Sequence, residues 1–345
     1  MKRKSIYLFA ALATAAFSLS SCSNDESAES VNSPAELKIT AEMYPAIEVN
    51  TRAAYDIQST TPANFTNIGI YVWYTGCKGP RAAGSGQVPY PGYENDRVAT
   101  ASASSPYVLT PTTNPIMYFP IDNADVDVYL YAPYNASPTQ TAMCMDHTVA
   151  ADQSLTAGYL ASDFIYGKAT AHYNVAPAKE AQVTMYHAMS KIIFIVANNG
   201  VSPTNMSEIS LNNVNTKTTI NMPVSIGASL TCGSSATDNV AEATVLGNIK
   251  VWGTSGADAV SVADAQSTGV AAVIPPQTTG ATSVVSVTVD GKTATADFKN
   301  KTLEPGKVYT YNLKLIGQTL VIKLLSITNW VPGGATADLD FDTWS

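Results

Sequence analysis

The chain shows a clear hydrophobic rhythm at Leu37-Lys-Ile-Thr-Ala-Glu-Met43, where Leu37, Ile39, Ala41 and Met43 alternate with Lys38, Thr40 and Glu42. Successive strand side chains point to opposite faces, so this pattern predicts a β-strand with one apolar face. The same period predicts strands over 68–74, 126–131 and a long run at 183–196. In the second half it predicts strands over 208–214, 217–222, 243–251, 270–274, 284–289, 293–298, 308–315 and 320–327. Asp290-Gly291, between two of these, is a tight-hairpin signal because a type I′ turn needs positive φ at both central residues. Helical periodicity is confined to one short segment, 154–164, and Gly- and Pro-rich stretches at 76–92, 102–115 and 198–205 read as loops. Many short strands with turn signals predict an all-β chain of antiparallel sheets with one face buried, folded as two β-sandwiches. The Pro- and Ala-containing stretch 175–182 places the division between residues 37–180 and 181–345.

Composition adds a compartment. Met1-Lys-Arg-Lys4 is followed by an apolar stretch, 6–17, too short to span a bilayer, so residues 1–21 read as a signal peptide. That stretch leads into Leu19-Ser20-Ser21-Cys22, which resembles the lipobox of bacterial lipoproteins and makes Cys22 the expected lipidation site. The polar, acidic residues that follow predict a disordered tether over 22–36. Loss of Lys2, Arg3 and Lys4 lowers the basic count from 19 to 16 against 27 acidic residues, a formal charge of −11. A surface of that sign argues against a nucleic-acid partner. The remaining thiols are Cys77, Cys144 and Cys232. Of these, Cys77 and Cys144 are the candidate disulfide pair because both fall in the N-terminal half, and small buried thiols are the simpler alternative.

Candidate chemistry is sparse. The chain has three histidines, His147, His172 and His187, and contains no metalloprotease helix motif, nucleophile elbow or phosphate loop. No enzyme activity, metal or cofactor is therefore expected. His187 sits on the apolar face of a predicted strand and reads as a structural histidine. Asp122, Asp125 and Asp127 lack the spacing and glycine of a calcium loop and read as a solvated loop and strand edge. Tyr90 and Tyr93, in Tyr90-Pro-Gly-Tyr93, could stack on a sugar, although a packed Pro/Tyr turn is the plainer reading.

The two ends of the secreted part repeat one pattern. Beyond Met43, Tyr44-Pro45 breaks the first strand and a short run leads to Thr51-Arg52-Ala53. Arginine is otherwise present only at positions 3, 81 and 97, so an arginine-directed protease has few choices. At the far end Ala337, Leu339 and Phe341 alternate with Thr336, Asp338, Asp340 and Asp342 after Pro332-Gly-Gly334. If the first strand were removed by cleavage between Arg52 and Ala53, such a tail from a neighbouring molecule could replace it by β-strand addition. Both segments also fit ordinary edge strands of a monomer, and the pattern leaves both readings standing.

Several stretches together resemble the fimbrillin and fimbrillin-like lipoproteins of type V pili. They are Leu19-Ser-Ser-Cys22, Thr51-Arg-Ala53, Phe65-Thr-Asn-Ile-Gly-Ile-Tyr-Val72 and Val128-Tyr-Leu-Tyr-Ala-Pro-Tyr134. Further on come Asp152-Gln-Ser154, Ser162-Asp-Phe-Ile-Tyr166, Tyr186-His-Ala-Met-Ser-Lys-Ile-Ile-Phe194 and Ile327-Thr-Asn-Trp330. The resemblance implies two tandem transthyretin-like β-sandwich domains and an outer-membrane lipoprotein precursor. It also implies maturation at Arg52 and Ala53, loss of the strand carrying Leu37, Ile39, Ala41 and Met43, and polymerisation through a donor strand carrying Ala337, Leu339 and Phe341. The partners would be other pilin subunits, the same or related, and a host or bacterial surface receptor, with the mature form extracellular in a fimbrium that serves adhesion and biofilm formation. A tip or accessory pilin, or a monomeric glycan-binding surface lipoprotein, is the alternative.

Overall fold

Alternation in this chain sorts two kinds of apolar residue as well as apolar from polar. The computed structural model describes residues 35–43, 67–75, 93–102, 106–136, 144–176, 178–197, 206–221, 232–233, 240–241, 245–253, 269–316 and 319–330. In chain order the first half holds β1 (Glu36–Met43), β2 (Gly69–Tyr74), β3 (Tyr93–Ala101), β4 (Tyr107–Pro111), β5 (Met117–Tyr118), β6 (Val126–Ala132) and β7 (Cys144–Thr148). The short helix α1 (Thr156–Ser162) then leads to β8 (Ile165–Ala171), β9 (Glu180–His187) and β10 (Ser190–Ala197). The second half continues with β11 (Met206–Asn215), β12 (Lys217–Asn221), β13 (Cys232–Gly233), β14 (Val240–Ala241), β15 (Leu246–Gly253) and β16 (Val270–Ile274). It ends with β17 (Gln277–Thr278), β18 (Val284–Val289), β19 (Lys292–Asp297), β20 (Thr302–Leu303), β21 (Lys307–Ile316) and β22 (Thr319–Asn329).

The first sheet runs β4-β3-β2-β6-β8-β9-β1-β5, and an additional pairing of β1 with β4 closes it on itself. Its strands were expected to bury one face. Instead β2 and β6 are buried along their whole length. Ile70, Val72, Val126, Val128 and Leu130 enter one hydrophobic cluster, which lies within residues 37–185. Tyr71, Trp73, Tyr129 and Tyr131 point the other way into a second cluster, which they share with the strands of the second half. The aliphatic side makes a closed core, and the aromatic side glues that sheet to the rest of the chain.

The second half packs two four-stranded sheets, β16-β10-β21-β22 and β15-β11-β18-β19. Phe194 on β10 and Tyr311 on β21 meet Phe298, just beyond β19, at ring separations of 6.4 and 5.3 Å. Edge-to-face contacts of this kind add to the area they bury. The hairpin signal is realised: Asp290 and Gly291 have φ of 51° and 70°, and Val289 pairs with Lys292. The fold is thus all-β and sandwich-like, with α1 shorter at both ends than the segment 154–164.

Other sequence readings meet the structure differently. The run 183–196 is two strands, because the Ala188 amide donates to Phe164 O and Met189 O accepts from Gly306, so the chain leaves the first sheet and enters another at 188–189. The expected division at residues 180 and 181 falls at the start of β9. The loop expected over 102–115 contains β4, whose Tyr107 and Leu109 face the first core.

Some first-half residues cross into the second half. β7 pairs with β12, and the buried Gln153 side chain pairs with an edge of β16 as a strand would. Its Nε2 donates to Val273 O at 2.8 Å and its Oε1 accepts from Val273 N at 2.8 Å. Gln153→Ala leaves both backbone groups without this partner, so we expect a loss of about 1–3 kcal/mol in urea unfolding. An unchanged midpoint would show that the amide is not needed to close the β16 edge.

Candidate functional site: the cleft of the first strand

β1 is not an edge strand. One side of it runs parallel to β9, from the pair Lys38 and Glu180 to the pair Met43 and Met185. The other side is antiparallel to β5 at Glu36 and Leu37 and to β4 at Thr40 and Ala41. Just outside the strand, Phe119 N donates to Ala35 O at 2.8 Å, and Lys38 N donates to Lys179 O at 3.0 Å. The rhythm of the sequence becomes geometry here: Leu37, Ile39 and Ala41 are 4%, 2% and 1% exposed and sit in the aliphatic cluster. Their burial contributes on the order of 4–7 kcal/mol as an upper bound. That holds a strand whose pairing partner lies 140 residues away.

The outward side of β1 is specific in its chemistry. Thr40 is only 1% exposed, and its hydroxyl lies 3.2 Å from Glu180 Oε1 and 3.3 Å from Ala181 O. Lys38 Nζ reaches the same Glu180 oxygen at 3.4 Å, from a side chain that is half exposed. Two donors on β1 therefore converge on one carboxylate of β9.

Of the residues singled out by sequence, Leu37, Ile39 and Ala41 are brought together in this cleft, and Met43 continues the same strand. Cys22, Arg52, Ala53, Cys77, Tyr90, Ala337, Leu339 and Phe341 lie outside the described residues. Cys144 pairs through its backbone with Asn221, and Cys232 with Val240. The three aspartates take separate partners. Asp122 Oδ1 accepts from Ala124 N, and Asp127 is buried against Lys168 Nζ at 2.9 Å and Thr170 Oγ1 at 2.6 Å. Asp125 receives the His172 imidazole at 2.7 Å, a hydrogen bond that holds its carboxyl below the usual range. Tyr93 is spent on packing: its hydroxyl accepts from Tyr118 N at 3.0 Å beside β1.

The histidines are scattered. His147 is buried with Nε2 2.9 Å from Ser162 O, and burial lowers its pKa. His187, on the last residue of β9, pairs with the buried Asp163 at 2.8 Å and stacks on Trp330 at 3.8 Å. Sequence reasoning missed the walls of the cleft: Glu180 was placed in a linker, and β4 and β5 fell in stretches without clear rhythm. The alternation of Ala181, Val183 and Met185 was the available signal for β9.

A family model described as Fimbrillin-like matches residues 51–330. Among solved structures, a candidate cell adhesion protein from Bacteroides uniformis superposes with a TM-score of 0.58 at 14% identity, covering 86% of this chain and 98% of that one. One from Bacteroides ovatus gives 0.58 at 16% identity, covering 88% and 100%. A fimbrial protein from Bacteroides vulgatus gives 0.46 at 13% identity, covering 86% and 99%. No curated protein matches the chain.

The two donors on β1 should differ in weight. Thr40→Val removes a buried hydroxyl that reaches the Glu180 carboxylate and should cost about 1–2 kcal/mol in urea unfolding. Lys38→Ala, which removes a half-exposed ion pair, should change stability by less than about 0.5 kcal/mol. The reverse order would contradict this assignment.

Proposed function

The chain belongs to the fimbrillin-like family, and from that membership and the place of β1 we propose that it is a structural subunit of a type V pilus. It is made as a lipoprotein acylated on Cys22, carried to the outer membrane, and matured by cleavage between Arg52 and Ala53. Its role is assembly and adhesion, with no catalytic step. The observation that carries this reading is that β1 fills a cleft between strands distant from it in sequence. It is hydrogen-bonded on both sides, and among the described residues its strand partners are β9, β4 and β5, not β2, the next strand in sequence. Strand exchange requires such an element, because its departure leaves two facing strand edges and an apolar cleft that another chain can fill.

In this reading the Met43-to-Arg52 connection is the tether that a protease severs, and the segment bearing Ala337, Leu339 and Phe341 is the donor. The donor segment 336–343 and β1 are each eight residues long, with apolar residues at two-residue spacing, three in the segment and four in β1. Other pilin subunits are the partners, and the organisation as two tandem transthyretin-like sandwiches, dividing where β9 gives way to β10, is part of the same proposal.

The test uses the producing bacterium. Tagged chain sheared from the cell surface should begin at Ala53 and run, unboiled, as detergent-resistant high-mass species that boiling collapses. The Arg52→Ala chain should instead stay cell-bound, carry metabolically incorporated palmitate and run as a monomer. A wild-type surface form that keeps residues 22–52 and runs as a monomer would overturn the proposal.

A further inference from the structure

The cleft beneath β1 is selective about what may replace that strand. Position 40 decides the matter. The Thr40 hydroxyl is buried between two acceptors, Glu180 Oε1 and Ala181 O, and Lys38 Nζ approaches the same Glu180 oxygen from the neighbouring outward position. The nearby Lys179, just before β9, has its ammonium over the Tyr173 ring at 5.0 Å. Once β1 leaves, both donors leave with it, and the niche presents a carboxylate and a carbonyl to whatever enters.

The chain's own tail is poorly matched to that niche. A strand that turns Ala337, Leu339 and Phe341 inward must set an even-numbered residue at position 40, because side chains alternate with a period of two. The even positions from 336 to 344 are Thr, Asp, Asp, Asp and Trp. Asp338, Asp340 or Asp342 would bring a second carboxylate against Glu180 in a buried setting, with no hydrogen to donate. Thr336 at that point would set Ala335 or Ala337 in the space of Ile39, depending on strand direction, and leave a cavity. Trp344 would force an indole into a space that a threonine fills. The argument holds for a strand entering parallel or antiparallel to β9.

We infer that the cleft of this subunit rejects its own C-terminal segment and takes a strand from a different subunit, one carrying a hydroxyl or other hydrogen-bond donor between branched apolar residues. Its acidic tail correspondingly suits a cleft that lacks an acidic residue at the place of Glu180. The assembly is then made of unlike chains in defined order, with Glu180 as the determinant. This rests on the reading of β1 as a replaceable strand.

The experiment separates the two. Full-length chain cleaved with trypsin after Arg52 is titrated with fluorescent peptides of residues 35–43, of residues 334–345, and of the latter with Asp338, Asp340 and Asp342 replaced by Thr. The expected order is tight binding of 35–43, binding at least about tenfold weaker for the native tail, and recovery of most of that gap by the threonine tail. Glu180→Gln in the protein should narrow the gap for the native tail and weaken the 35–43 peptide. Native tail binding within about twofold of 35–43 would overturn the inference and leave the strand-exchange reading standing. Failure of all three peptides to bind would overturn that reading, and this inference with it.

Discussion

The fold of the first half depends on one interaction, the parallel pairing of β1 with β9 across 140 residues of sequence. Every other pairing in that sheet is antiparallel. β1 supplies the missing link between β9 and the β4 and β5 edges, so one eight-residue strand converts an open sheet into a closed one. An open sheet exposes unpaired amides and carbonyls on both lips, a state that soluble proteins avoid by covering or closing their edges. Among the described residues, β1 pairs with β9, β4 and β5, all far from it in sequence, so its place in the sheet is set by tertiary pairing.

Much of the rest of the molecule is held by contacts that do not involve β1. The first sheet buries both faces: the aliphatic face is closed by β1, whereas the aromatic face, through Tyr71, Trp73, Tyr129 and Tyr131, is packed into the core shared with the second half. Loss of β1 therefore bares one side of the sheet only. β7 and Gln153 reinforce the aromatic side by pairing with second-half strands. The end of β22 is tied back as well, since Trp330 stacks on His187 of β9 and its amide donates to Gly306 O.

The sequence was most informative where one strand face alone carries the signal. In β1, Leu37, Ile39 and Ala41 alternate with polar residues and were legible as a strand with one buried face. Strands β16 and β18 were legible residue for residue, and so was the Asp290-Gly291 turn, because that turn type constrains its own two residues. The partner of β1 was not legible, since nothing local in Glu180–His187 specifies a strand 140 residues earlier. β4 was lost among Ser, Thr and Pro residues, where tertiary pairing overrides local propensity. The run through Ala188 and Met189 stayed apolar across a change of sheet, so periodicity carried no mark of the break. The role of Glu180 needed the hydrogen-bond geometry of Thr40 and could not have come from composition.

Amide hydrogen exchange measures the central claim most directly. Exchange is recorded on the intact chain and again after cleavage at Arg52 and removal of the fragment bearing β1. The account predicts that the Phe119 amide, which donates to Ala35 O, and the amides of β9 and β4 that face β1 lose protection by at least about tenfold. The pairing of β10 with β21 should keep its protection. Unchanged exchange at Phe119 and along β9 and β4 after the fragment has gone would mean that β1 does not close the sheet, and the account would fail at its root.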